Sequence, residues 1–279
     1  MRLAAVVILY YPDPDLISRI NSYLSHIDRL YVIDNSESPA HLDFLSQKIK
    51  YMQDGLNKGI AARLNQAANF AIEEGYSWML TMDQDSYFKD DNFINLTRCL
   101  DAFTAKNNIA QFGIQFQNPH LQSAKCEYRE TSILITSGSI INLQAFQSIG
   151  SFDEALFIDQ VDFDFCFRAK IKGYMIIEFT NVFLQHSLGN ESMQRSFKSL
   201  KKTNRSLHSP IRIYYMTRNY LYMKSRYSKL FPDEIAHTRK DLLYRIKNNF
   251  LYGNAKIALI KNIMQAIVDY RRNKMGQKS

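Results

Sequence analysis

Tyr76-Ser77-Trp78-Met79-Leu80-Thr81-Met82-Asp83-Gln84-Asp85-Ser86 is an apolar run that ends in two carboxylates one residue apart. A short apolar run bounded by turn residues reads as a buried strand, and this one delivers Asp83 and Asp85 to the loop at its carboxyl end. Alternation points both the same way while the segment stays extended. Such a pair suits a hard divalent cation, which takes one or two protein carboxylates and shares the rest of its sphere with phosphate and water. The same Asp-x-Asp-Ser string also fits a solvated turn.

Strand and helix signals alternate around this run. Leu3–Tyr10 is predicted as a strand, Asp15–His26 as a helix from Leu16, Ile20, Leu24 and Ile27, and Arg29–Asp34 as a strand. Ile60–Glu74 follows as an Ala-rich helix stopped by Gly75, and Trp78–Met82 as the next strand. That order predicts an α/β fold, a mostly parallel sheet flanked by helices. Ligands in such sheets bind at the carboxyl ends of the strands. Asp34 and Asp83 stand at two such ends, so one crevice can hold both. Further on, Glu130–Ile135 and Ser139–Leu143 read as strand pieces around the turn Thr136-Ser137-Gly138. Ala145–Ile149 and Asp162–Lys172 read as helices, Tyr174–Phe179 as a strand, and the chain beyond Gly189 as helical and basic.

The composition, 46% hydrophobic and 13% aromatic over 279 residues, is that of a folded protein with a large core. Cys99, Cys126 and Cys166 have no zinc spacing and are odd in number, which predicts reduced thiols in a cytosol. Leu3–Leu9 is too short to span a bilayer and no secretory signal is visible, so a soluble or peripheral protein is expected. The net charge of +8 hides an asymmetry: residues 1–186 carry 15 Lys/Arg against 22 Asp/Glu, and residues 187–279 carry 20 against 5. A basic surface of that size can face nucleic acid, anionic lipid, a phosphate-bearing substrate or plain solvent.

Three further groups carry chemistry. Asn57-Lys58-Gly59 precedes the Ala-rich helix, where Gly59 permits close backbone approach and the helix N-terminus favours an anion. There is no Gly-rich fingerprint or Walker lysine, and the same residues fit a plain turn and cap. Gly150–Arg168 holds Asp153, Glu154, Asp159, Asp162 and Asp164 among large apolar residues, where desolvation makes a carboxylate a better base. Asp159 and Asp162 are spaced to share a helical face, with Arg168 available to hold one acid, although acids also decorate helix N-termini for the dipole. His186 follows an apolar strand and is either a structural residue or a metal ligand. Imidazole joining two carboxylates would suit Mn²⁺ at least as well as Mg²⁺.

Seven segments, in order, resemble the family 2 glycosyltransferases of the GT-A fold, and specifically their bacterial rhamnosyltransferase branch. They are Val32–Ser36, Asn57–Ala61, Met82–Ser86, Ile135–Ser139, Phe157–Asp162, His186–Gly189 and Arg212–Asn219. The resemblance implies residues 1–190 as a nucleotide-sugar-binding catalytic domain and 191–279 as a basic helical segment packed on it. It assigns Asp34 to the pyrimidine base, Asn57 and Gly59 to the nucleotide pocket, Asp83 to the ribose and metal, Asp85 to the metal on the diphosphate, and His186 to a further metal position. Asp162 aligns with the general base. The acid that usually precedes it is replaced by Val161, and Asp159 stands as partner or rival. Thr136, Ser137 and Gly138 are expected on the acceptor side.

The activity so implied is inverting, Mn²⁺- or Mg²⁺-dependent transfer of rhamnose from dTDP-β-L-rhamnose to a hydroxyl of a glycan or lipid-linked glycan. The protein is then expected in the cytoplasm or peripherally at the inner membrane face. Lys256–Arg272 carries Ile260, Ile263, Met264 and Ile267 beside Lys261, Arg271 and Arg272, a pattern that serves either an interfacial helix or packing on the rest of the chain. Other readings are weaker. A nucleic-acid-binding protein would leave the acids and His186 unused, so no nucleic-acid partner is expected, and a nucleotidyltransferase would need a Gly-rich basic loop that Ile8–Asp15 lacks. The same mechanism with another nucleotide sugar stays open.

Overall fold

Leu3–Leu9 is apolar and buried at all seven positions, which requires cover on both faces of the sheet. The structure, a computed structural model, describes residues 2–40, 44, 46–104, 106–116, 125–186, 191–195 and 202–278, the side chains of 107, 191–195 and 202–206 excepted. The first elements in chain order are β1 (Leu3–Leu9), α1 (Leu16–Leu24), β2 (Arg29–Asp34), β3 (Ile49–Gln53), α2 (Gly59–Glu73), β4 (Trp78–Asp83), β5 (Ser86–Tyr87), α3 (Asn92–Ala102) and β6 (Ile109–Phe116). They are followed by β7 (Tyr128–Glu130), β8 (Ser139–Asn142), α4 (Leu143–Ile149), α5 (Val161–Ile171), β9 (Met175–His186), β10 (Glu191–Arg195), β11 (Lys202–Ser206), α6 (Pro210–Tyr227), α7 (Pro232–Tyr252) and α8 (Lys256–Arg271).

Two compact units result, Met1–Phe157 with Val161–Ser187, and Ile158–Gln160 with Leu188–Ser279. The first is an α/β unit. Its sheet runs β3-β2-β1-β4-β8-β6-β9-β5, with β7 on β9. The β3-β2-β1-β4 half is parallel, and β8, β5 and β7 pair antiparallel. Ala61, Ala67, Ala68 and Ala71 are fully buried on α2, and their small side chains let that helix lie close on β1, β2 and β4. The core joins Val7, Leu9, Val32 and Leu80 to Ile20 and Tyr23 of α1 and to Phe93 and Leu96 of α3. β9 runs beyond the predicted Phe179. Its register against β6 jumps from Ile114↔Phe179 to Gln115↔Phe183, and this bulge lets the strand carry on to His186.

Three expectations are corrected. The segment expected to be helical after Gly189 contains the antiparallel pair β10–β11; its Ser, Thr and Asn are poor helix formers. The strand expected over Glu130–Ile135 is Tyr128–Glu130, and beyond it Thr131 turns its hydroxyl onto Ile133 of its own backbone. Cys99 and Cys126 are joined as a disulfide, and only Cys166 is a thiol. A separation of 27 residues gives no sequence signal for that pairing.

The second unit is built on α6, against which α7 and α8 pack. Tyr214, Tyr215 and Tyr220 are buried there, and Arg218, 0% exposed, lies over the first two rings and donates to the Gly276 carbonyl (2.7 Å). Tyr214 donates to Asp269 of α8 (2.8 Å). These tyrosines are core.

The cysteine pairing is directly measurable. Thiol titration of the unreduced, denatured protein is expected to count one thiol per chain, and three after reduction; three in both states would mean that Cys99 and Cys126 are not joined.

Candidate active site

β1, β2 and β4 end side by side. The register sets Leu9 against Asp34 and Ile8 against Asp83, so the two carboxylates flank the end of β1, about 10 Å apart at two strand spacings. Asp34 is buried, and its Oδ1 accepts from the Ser36 N–H (2.9 Å) while Oδ2 accepts from the Ala40 N–H (2.9 Å) and the Tyr51 hydroxyl (2.9 Å). Burial pushes its pKa up, and the hydrogen bonds outweigh that and hold it below the ordinary aspartate value. The Tyr51 hydroxyl is pushed up to about 12, by burial and then by Asp34. Asp34 therefore holds the shape of the 34–40 turn.

The next residue ties this turn to the Asn57 loop. Asn35 donates to Asn57 Oδ1 (2.7 Å) and accepts from the Lys58 N–H (2.8 Å) and the buried Arg63 guanidinium (3.0 Å). Asn57 Oδ1 also accepts from the Gly59 N–H (3.1 Å). Gly59 has φ +81°, and a Cβ there would lie 2.6 Å from the Phe157 carbonyl oxygen. That carbonyl accepts from the Ile60 N–H (2.7 Å). The N-terminus of α2, read from sequence as an anion seat or a plain cap, is thus capped by backbone from just before α5.

Asp85 and His186 come together because β5 pairs with the end of β9, Ser86 opposite His186. Asp85 Oδ1 lies 3.2 Å from His186 Nδ1, and Ser86 Oγ lies 3.1 Å from the same nitrogen. Ser137, buried, donates to Ser86 Oγ (2.9 Å) and accepts from the Asp83 N–H (3.2 Å). On either side of it, the Gly138 N–H donates to the Thr81 carbonyl (2.8 Å) and the Thr81 hydroxyl donates to the Thr136 carbonyl. The Thr136–Gly138 turn is therefore a clasp on the Asp-x-Asp loop.

With Nδ1 facing Asp85 and Ser86, Nε2 is the ring nitrogen that can take a ligand. Asp83 is exposed and does not join this pair: among the described residues no three His, Cys, Asp or Glu side chains converge as a metal cluster. Asp85 and His186 have the donor types a divalent cation takes, with a diphosphate and water for its other positions, but while Asp85 rests on Nδ1 it lies across the ring from Nε2, and one cation held by both would replace that contact. Ser187-Leu188-Gly189, the rest of that sequence motif, lie outside the described residues.

Tyr10 and Tyr11 were missed by sequence reasoning. They are 50% and 56% exposed at the end of β1, edge to face at 4.7 Å. Gln84, between the two aspartates, accepts from the Tyr10 N–H (2.7 Å) and donates to its carbonyl (3.1 Å), and the Tyr11 N–H donates to Ser36 (2.7 Å). Their signal was position alone, two aromatics directly past a buried strand.

Asp162 heads α5, half-buried, with Oδ1 accepting from the Phe163 N–H (3.0 Å). Arg168 holds Asp164 (2.7 Å), which is fully buried and structural. Asp159 shares no helical face with Asp162, since it precedes α5 with φ +67°. Phe157 and Gln160 also have positive φ, +64° and +63°, a concentration of strain of roughly 1–3 kcal/mol per residue. Residues 158–160 group with the second unit. There Arg212 pairs with Asp159 (2.6 Å), and Asn219, two turns along α6, donates to the carbonyls of Ile158 (2.7 Å) and Asp159 (3.1 Å).

A cavity of about 330 Å³ is lined by Gln115, Phe116, Ile133, Phe163 and Glu178, among others. Phe116 stands edge-on to the His186 ring (6.0 Å), and Phe163 adjoins Asp162. Phe116 and Phe163 thus place the cavity near His186 and Asp162, although Asp85, His186 and Asp162 are not themselves among its lining residues.

No model of a known protein family matches the chain. It is 25% identical over 238 residues to the "dTDP-rhamnosyl transferase RfbF" of Shigella flexneri, covering 77% of each. In fold it is similar to GalNAc-T7, solved with UDP, GalNAc and Mn²⁺ (TM-score 0.60, 12% identity, 98% of this chain and 58% of that one). It is also similar to S. aureus TarS (TM-score 0.56, 14% identity, 98% and 49%). The chain thus spans about half the length of that TarS chain; a shorter TarS chain solved with UDP-GlcNAc is covered to 80% (TM-score 0.52, 14% identity).

The chain is a glycosyltransferase of the GT-A fold. In this glycosyltransferase the Asn57–Gly59 loop and the segment leading to α5 are locked by the one carbonyl of Phe157. Gly59→Ala is expected to lower unfolding free energy by about 2 kcal/mol or more, from the positive φ and the clash with Phe157. A denaturant titration that gives wild-type stability would refute the close approach.

Proposed function

We propose that this glycosyltransferase moves L-rhamnose from dTDP-β-L-rhamnose to a hydroxyl of a bacterial surface glycan carried on a lipid. The observation that supports this most is the similarity to a dTDP-rhamnosyl transferase over 238 residues, in a chain whose His186 ring stands against Phe116, a wall of the cavity of about 330 Å³. A space of that size suits a sugar ring, and aromatic walls suit the apolar face of one.

In this reading Tyr10 and Tyr11 offer a stacking surface for the nucleobase beside the turn that Asp34 shapes, and Asn57 and Gly59 keep that side rigid. Asp85 and His186, with Asp83 near the ribose, would hold Mn²⁺ or Mg²⁺ on the diphosphate. When bound, the cation offsets charge on the leaving group. Asp162 takes the proton of the acceptor hydroxyl as that oxygen attacks the anomeric carbon, and the bond from that carbon to the diphosphate oxygen breaks on the opposite side. One displacement inverts the centre. Asp159, held by Arg212, serves as a positioning residue for the segment ahead of Asp162. Thr136–Gly138, as the clasp on the Asp-x-Asp loop, acts in this reading on the donor side. On α6, Tyr214, Tyr215 and Tyr220 are buried and offer nucleic acid no stacking face.

Asp162→Asn is expected to lower kcat by about 10²–10⁴-fold with donor affinity unchanged; normal turnover would remove Asp162 as base. Calorimetry with dTDP-rhamnose, UDP-sugars and GDP-sugars, in Mn²⁺ and then EDTA, is expected to show metal-dependent preference for dTDP-rhamnose. Preference for another sugar nucleotide would overturn the donor. Asp85→Ala should abolish the EDTA effect, and an unchanged effect would refute Asp85 as a metal ligand.

A further inference from the structure

In the second unit, α8 is apolar on two opposite faces. Leu259, Ala266 and Asp269 are buried on the side that packs against α6. On the other side Ile257, Ile260, Met264 and Val268 form one stripe at helical spacing, and they are 74%, 47%, 63% and 37% exposed. A helix apolar on two faces calls for a partner on each, and the described residues supply one. The corner where α7 meets α8 continues the patch: Phe250 and Leu251 are exposed, and the Lys256 ammonium lies 5.8 Å from the Phe250 ring centre.

The charge around this surface has one sign. Residues 242–268 contain no acid; Arg245 is paired with Asp241 (2.6 Å), Lys247, Lys256 and Lys261 lie in the same stretch, and Arg271, Arg272 and Lys274 follow, exposed. A second copy of the chain is a poor occupant, because an isologous contact lays the patch on itself and brings these cations against their counterparts. Nucleic acid would leave the aliphatic stripe unburied. Aliphatic side chains ringed by Lys and Arg are what an interfacial helix presents to an anionic bilayer, the stripe entering the acyl boundary and the cations meeting headgroups. No helix among the described residues is long and apolar enough to cross a membrane.

We infer that the exposed face of α8 and the α7–α8 corner dock this protein on the surface of an anionic membrane. This inference stands independently of the donor and acceptor proposed above. It is tested by co-sedimentation of the full chain with phosphatidylglycerol-containing vesicles and with pure phosphatidylcholine vesicles, at low and high salt. Wild type is expected to partition at least about tenfold more strongly onto the anionic vesicles, with salt weakening binding. I257E/M264E should lose at least about tenfold in partitioning, and K256E/K261E should lose the preference for anionic lipid. Both pairs are exposed, so circular dichroism and nucleotide-sugar binding should be those of wild type. Absent or lipid-indifferent binding, or variants that bind like wild type, would overturn the inference. So would a dimer in sedimentation velocity that I257E/M264E dissolves, which would assign the face to a second copy.

Discussion

The carbonyl of Phe157 is the tie on which the donor end of the first unit depends. A helix N-terminus leaves N–H groups without partners, and in α2 the Ile60 N–H finds its acceptor in that carbonyl, 2.7 Å away. For the carbonyl to reach it, residue 59 can carry no Cβ, and Phe157 must turn to positive φ. One hydrogen bond thus makes Gly59 obligatory and bends the chain immediately ahead of Asp162. Asn35, Asn57 and Arg63 extend the same tie to the turn after β2. Buried polar side chains here spend their hydrogen bonds on each other, and the strand ends are held before any ligand arrives.

A second tie of similar kind holds the two-carboxylate loop. Ser137, Ser86 and His186 form a run of hydroxyls and imidazole between the Asp83 backbone and the Asp85 side chain. Asp85 and Ser86 fix the ring through Nδ1, and Nε2 is presented as a result. Metal-ligating histidines are commonly held in this way by a carboxylate or hydroxyl on the opposite nitrogen. Ser137 reaches both partners only because β8 lies beside β4 and Gly138 lets the turn pass close under Ile114 and Leu184.

Periodicity carried the parallel half of the fold. β1, β2, β4 and α2 lie within one or two residues of where apolar runs and the Gly75 stop put them, because strands buried on both faces leave an unbroken apolar signature. β3, α3 and β6 left weaker traces. Ile49–Gln53 alternates with Lys and Gln at a partly exposed edge, and such strands are specified by their neighbours more than by their own residues. At the site, residue type and position single out Asp85, His186 and Asp162 as candidates, and the structure sets Asp85 beside His186. They marked the supporting residues poorly. Nothing in Thr136-Ser137-Gly138 distinguishes a clasp from a pocket wall, and Asp159 looks helical by spacing until Arg212 draws it out of the helix.

Charge supports the cation of the proposed mechanism on physical grounds. The first 186 residues carry seven more acids than bases, yet a sugar-nucleotide donor brings a diphosphate to strand ends that present Asp83 and Asp85. The cations near those ends are already committed: Arg19 pairs with Asp13 (2.9 Å), and Lys58 and Arg63 both pair with Asp54 (2.6 and 2.5 Å). Arg63 is the largest influence holding Asp54 below the ordinary aspartate range, followed by Lys58, so releasing either cation to a phosphate would expose an ionised acid instead. Two negative groups then meet while these three cations are engaged elsewhere. In the proposed reading, a divalent ion held at Asp85, His186 and the diphosphate would convert that repulsion into attraction.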